Sequence, residues 1–183
     1  MKPDCIIIRN DLNGKVEFVS ESLKLLSKRQ LKRAVNLAVS TWNFEIPLKF
    51  KSAWNTQADI EIRFKTKDED NYFKDKPSVL AYAYYPGQAK VSGKVVFNAS
   101  YIWDLKGKGI SGKNAIKKGV VDNAYPTNIL KTYNVYAVLI HELGHTLGLK
   151  HDITGKKDGS DVMDAYYSVT NLDLSDRDIY RIR

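Results

Sequence analysis

The sequence holds one cysteine, two methionines and three histidines among 183 residues. With Cys5 alone, no internal disulfide can form, which leaves the compartment open. No apolar run approaches the ~20 residues that a membrane helix needs. The longest aliphatic run near the start, Ile6–Ile7–Ile8, is far shorter than a signal-peptide core of roughly 7–15 apolar residues. There is no repeat and no low-complexity tract. Acids are the minority charge, 21 against 29 Lys and Arg, leaving a net +8. That balance favours acidic surfaces or substrates. The basic residues are scattered, however, as on a solvated face. No nucleic-acid motif is visible, so nucleic-acid binding is not the expected main function.

What is present is the composition of a globular domain: 43% hydrophobic and 27% charged residues. The length fits one domain, 1–183, with a sizeable core. "DCIIIRND" reads as a first strand. In "LSKRQLKRAVNLAVSTWN", Leu31, Ala34, Val35, Ala38, Val39 and Trp42 mark one apolar helical face. Ser27 and Gln30 supply a capping box. "IPLKFK" and "ADIEIRFK" follow as strands, the second alternating Ile60, Ile62 and Phe64 with charged residues. "SVLAYAYYPG" and "GKVVFNAS" are two more, joined through Pro86, Gly87 and a short turn. The segment 105–132 carries six lysines, four glycines and one acid. It reads as a long loop broken by a short helix near 114–118. "NVYAVLIHELGHTLG" is a second long helix ending at Gly148. Ser175 caps a last one, with Asp178 at its third position.

All three histidines fall within "HELGHTLGLKHD". His141 and His145 are four residues apart, so on a helix they project from one face. Both rings can then reach one ion. A catalytic zinc takes three protein ligands and keeps one open position. Gly148 allows the sharp turn that brings His151 in as the third ligand. Glu142 points about 100° away from His141 around the helix. There it can face a water at the open position and take its proton. H-E-x-x-H-x-x-G-x-x-H is a mechanistic motif with little room for coincidence.

The same residues carry a family resemblance. The motif is the metzincin signature, and "SDVMDAYY" supplies its methionine turn through Met163, twelve residues past His151. "AVSTWNFEIPLKF", "ADIEIRF", "VLAYAYYPG" with "GKVVFN", Trp103 and "LSDRDI" resemble, in order, blocks of the matrixin catalytic domain. The resemblance implies an α+β fold: a twisted five-stranded mixed sheet with two long helices, then a small C-terminal part with a third. The division falls at about 1–148 and 149–183. It implies a monomeric zinc endopeptidase with His141, His145 and His151 as ligands, Glu142 as general base and Met163 as the floor beneath them. Leu80 and Ala81 match edge-strand residues that pair with substrate. Ala137, Val138 and Tyr167 match pocket walls, and the small Ala137 makes that pocket roomy and apolar. An extracellular location is favoured by the same resemblance.

Several positions depart from the family. Tyr82 and Val96 stand where two histidines of a structural zinc would be, so one zinc per chain is expected and a structural zinc is not. Asn98, Ser100 and Tyr101 occupy a stretch that holds calcium-binding acids in matrixins, and packing is expected to replace the ions. The acids of "KDEDN" and "KKDGSD" follow no EF-hand pattern and read as solvated loops, with calcium left open. Asp152 follows the third histidine, as in the adamalysin branch, where it is expected to accept N–H groups of the methionine turn. The propeptide cysteine motif is absent, and Cys5 reads as a small buried residue. The competing reading is a catalytically inactive metzincin-fold module whose lysine-rich loop holds an acidic partner.

Overall fold

The computed structural model describes residues 5–9, 24–46, 51–52, 59–153, 161–169 and 172–183. The side chain of Cys5, residues 47–50 of the expected "IPLKFK" strand and most of "KKDGSD" lie outside them.

Five strands form one sheet in the order β2-β1-β3-β5-β4. These are β1 (Cys5–Arg9), β2 (Lys51–Ser52), β3 (Ile60–Lys65), β4 (Ala81–Ala83) and β5 (Lys94–Asn98). The first four in that order pair in parallel, and β4 pairs antiparallel with β5 at the edge. The sheet is therefore mixed, as the resemblance implied. In β3 the alternation holds residue by residue: Ile60, Ile62 and Phe64 are buried and their neighbours half-buried. The "SVLAYAYYPG" strand is shorter than expected, because β4 has a partner on one side only and the chain turns away at Pro86 and Gly87.

Helix α1 (Lys28–Glu45) starts at the expected cap. The Ser27 side chain accepts the Gln30 N–H while the Gln30 side chain accepts the Ser27 N–H. All six residues of its apolar stripe are buried. They pack against α4 (Val135–Thr146), which is buried at every position but His141. Such all-round burial follows from its nearly continuous apolar sequence. The indole Nε1–H of Trp42 donates to the Ile140 carbonyl at 2.9 Å, and the Tyr136 and Thr41 hydroxyls meet at 3.1 Å. These bonds tie the two helices at the level of the first histidine. No helix among the described residues is long and apolar enough to cross a membrane.

The lysine-rich segment is more ordered than a loop. β7 (Ile110–Ser111) pairs antiparallel with β8 (Ile129–Leu130), and α3 (Gly112–Lys117) lies between them. The helix begins two residues before the expected 114, because Ser111 rather than a later residue is its cap. At the base, β6 (Trp103–Asp104) pairs parallel with β9 (Tyr133–Asn134). The Asp104 carboxylate accepts N–H groups from Lys106 and Gly107 and the Thr132 hydroxyl, at 2.6–2.8 Å. The last helix, α5 (Asp176–Ile182), carries a capping box from Ser175 and Asp178.

Candidate active site

A cleft of about 480 Å³ lies between α4, the edge strand β4 and the segment around Met163. Helix α4 presents His141 and His145 one turn apart, and Gly148 ends the run with φ +100. That left-handed residue turns the chain so that His151 returns to the other two. Its Nε2 lies 3.2 Å from Nε2 of His141 and 3.1 Å from Nε2 of His145.

The tautomers follow from the partners. His141 Nδ1–H donates to the Val162 carbonyl at 2.6 Å, and His145 Nδ1–H donates to the Leu149 carbonyl at 2.7 Å. A carbonyl only accepts, so each of these rings spends its proton there and turns an Nε2 lone pair inward. With the His151 Nε2 at the same point, three nitrogens converge as a donor set for one cation. Two ligands at ~2.05 Å from a tetrahedral zinc lie about 3.3 Å apart, close to the spacings seen. The donor set thus fits a zinc ion. Burial, then the neighbouring imidazole, pushes His141 down to about 3, and burial lowers His145 and His151 as well. All three are held in the neutral form that binds metal.

Glu142 is 4% exposed and lines the same cleft. Among the described residues its Oε2 has no hydrogen-bond partner, and burial pushes its carboxyl up to about 8. An unpartnered carboxylate oxygen buried beside three converging imidazoles marks a place built to receive a proton-bearing ligand.

Met163 is fully buried beneath α4. Leu80, Ala81, Ala137, Val138 and Tyr167 all line the cleft. The Tyr167 hydroxyl accepts the backbone N–H of Asn134 at 2.6 Å, which holds that ring against the start of α4.

The methionine turn is held by Asp178, which accepts the N–H groups of Val162 and Met163 at 2.8 and 3.2 Å. Asp152 gives its own N–H to the Met163 carbonyl at 2.9 Å. Its carboxylate faces Arg177 and Arg181 at 3.4 and 3.7 Å. The sequence marked Asp178 as a helix cap, and a second task for the same carboxylate leaves no local signal. Tyr85 was also missed; its ring stands edge-on to His145, 5.4 Å between centroids. Only its place beside "PG" in the β4 block hinted at it.

Tyr82 and Val96 are direct partners across the β4–β5 ladder. The Tyr82 hydroxyl donates at 2.8 Å to Asp70, the cap of α2 (Asn71–Asp75), and the rings of Tyr72, Phe73 and Tyr84 surround it. Asn98 donates to the Val79 carbonyl and accepts from Ser100, and the Tyr101 hydroxyl donates to the Pro77 carbonyl.

A family model described as Matrixin matches residues 10–183. Among curated relatives, the chain is 34% identical over 145 residues to matrix metalloproteinase-2 of Drosophila melanogaster, covering 78% of this chain and 16% of that protein. It is 33% identical over 128 residues to neutrophil collagenase of Homo sapiens, covering 69% and 22%. It is 28% identical over 128 residues to macrophage metalloelastase of Oryctolagus cuniculus, again covering 69% and 22%. The chain thus spans about a fifth of the length of these relatives. With a match over nearly its whole length and an imidazole triad of zinc-binding geometry, the chain belongs to the matrixin family of zinc metalloendopeptidases.

Proposed function

We propose that this chain is an endopeptidase in which His141, His145 and His151 hold a single zinc and Glu142 is the general base. One observation carries the assignment: the His151 Nε2 lies 3.1–3.2 Å from those of His141 and His145, beside a buried carboxylate oxygen with no partner among the described residues. Bound zinc supplies a Lewis acid that polarises a carbonyl and brings the pKa of a water towards about 7. Glu142 takes the proton of the attacking water and delivers it to the leaving amine. Its place in the cleft beside the three imidazoles lets one carboxylate make both transfers.

The substrate lies extended along the free side of β4, whose other side is paired with β5. Main-chain bonds to Leu80 and Ala81 give it register. The side chain after the cleaved bond enters the pocket of Ala137, Val138 and Tyr167. Met163 is the apolar floor under the ligands. The chain works as one catalytic domain, with 1–148 carrying the sheet and first two ligands and 149–183 carrying His151 and the methionine turn. Tyr82 with Asp70, and Asn98 with Val79, do by hydrogen bonding and packing what further ions would do. One zinc per chain and an extracellular site of action are the consistent assignments. An inactive binding module leaves the buried, unpartnered oxygen of Glu142 without a purpose.

Glu142→Ala tests the assignment. The variant should keep its zinc, while chelator-sensitive cleavage of a peptide pool falls by about 10²-fold or more. An undiminished rate would reject the role given to Glu142, and zinc bound with no cleavage by the parent chain would favour the inactive module.

A further inference from the structure

The three imidazoles are not held alike. His141 and His145 sit on α4, and each ring is oriented by a carbonyl at its Nδ1. His151 lies on a loop, is exposed, and among the described residues its Nδ1 has no hydrogen-bond partner. A ligand without a helix beneath it or a bond behind its ring needs another constraint, since orienting partners govern metal affinity.

The last helix supplies one. Arg181 Nη2–H donates to the Lys150 carbonyl at 2.6 Å, and its Nη1 lies 3.7 Å from the Asp152 carboxylate. One guanidinium thus hydrogen-bonds the residue before His151 and pairs by charge alone with the residue after it, its Nη1 making no hydrogen bond among the described residues. Arg177 Nη1 adds 3.4 Å to Asp152 and 3.5 Å to Asp161, which begins the methionine turn. The Asp152 side chain is 3% exposed, so its carboxylate depends on these arginines to compensate a charge held out of water. The Asp152 N–H closes the loop onto Met163. The planar fork of arginine suits this double grip, which a point-charge lysine cannot reproduce.

The geometry points to Arg181, with Arg177 and Asp152, as positioning residues for the third metal ligand: a clasp from α5 that presets the His151 backbone for zinc. The inference rests on the metal-centre assignment above. It gives a purpose to the acid that follows the third histidine.

Zinc itself is the probe, with affinity measured in the full chain by competition against a chromophoric chelator and thermal midpoints read with and without zinc. Arg181→Met should weaken zinc about 10- to 100-fold, a larger effect than its cost to the stability of the metal-free protein. Arg181→Lys should restore only part of the affinity, and Asp152→Asn should resemble Arg181→Met. Arg177→Met, at a more exposed site, should show a smaller loss in the same direction and serves if Arg181→Met does not fold. Unchanged zinc affinity in Arg181→Met and Asp152→Asn would overturn the clasp and leave the metal centre standing. An affinity loss matched by equal destabilisation of the metal-free protein would also overturn it. A parent chain that binds no zinc would overturn both.

Discussion

A methyl group placed on Gly144 would lie 2.3 Å from the sulfur of Met163. The same position is 3.0 Å from the Trp42 ring. The absence of a side chain at Gly144, between the two helical histidines, is what lets the methionine turn close against α4 and α1. Gly144→Ala should recover about 1 kcal/mol of helix propensity and lose about 1–3 kcal/mol to overpacking. The expected net effect is destabilisation, with Met163 displaced. Thermal unfolding should show a midpoint some 2–4 °C lower per kcal/mol lost. A midpoint above the parent's would mean that the floor beneath the ligands is not tightly packed.

Asp178 is fully buried and accepts from Val162, Met163 and Ser175. Asp178→Asn replaces one acceptor oxygen by a donor that faces other donors. Hydrogen bonds to a charged group contribute about 1.5–3 kcal/mol each, so a stability loss of about 3 kcal/mol is expected. Denaturant titration of the metal-free protein measures it. A loss below about 0.5 kcal/mol, the range of ordinary surface substitutions, would contradict this.

Gly107 connects the lysine-rich segment to the cleft. Its φ is +63, and a Cβ there would lie 2.5 Å from the Tyr167 hydroxyl and 2.6 Å from Val169. Gly107→Ala should displace Tyr167 from its bond with Asn134 and alter the pocket. The expected outcome is a change of about tenfold in relative kcat/KM across peptides that differ in the residue after the cleaved bond. Zinc content should stay the same. An unaltered preference would detach this segment from specificity.

Tyr82 makes the pH prediction. Burial first, then the hydrogen bond to Asp70 and the charges of Asp70 and Tyr84, raise its phenol well above the ordinary value. Lys65 faces the same carboxylate at 3.8 Å, and the Tyr72 ring packs alongside. The folded chain therefore holds this proton more tightly than the unfolded chain does. The stabilisation is complete below the unfolded pKa of about 10 and declines as pH rises past it. Tyr82→Phe should lower stability by about 1 kcal/mol at neutral pH and make the alkaline decline shallower. Unfolding midpoints from about pH 8 to 11 would reveal both. An equally steep decline in the variant would assign the effect to other tyrosines.

The parts of the fold visible in the sequence were those governed by local periodicity and capping. The α1 stripe from Leu31 to Trp42 and the alternation of Ile60, Ile62 and Phe64 need only the geometry of one element. The histidine motif was equally legible, because four- and six-residue steps around Gly148 describe a helix, its end and a return. Misreadings fell where a contact spans the chain. Asp178 is the cap that the sequence marks, but its second task is invisible there because Val162 and Met163 lie 16 and 15 residues away. Segment 105–132 looked like a loop because its order comes from Asp104 and Thr132, 28 residues apart.

By itself, the sequence determined the chemistry: which side chains could bind a metal, which carboxylate stood beside them, and which elements would carry them. Only the tertiary structure decided how that chemistry is held. It chose Asp178 for the methionine turn, Arg181 for the two sides of His151, and Gly144 for the contact between floor and helix. Periodicity and spacing act within an element. A hydrogen bond or a close packing contact between distant residues depends on where the folded chain brings them, and no local pattern encodes that.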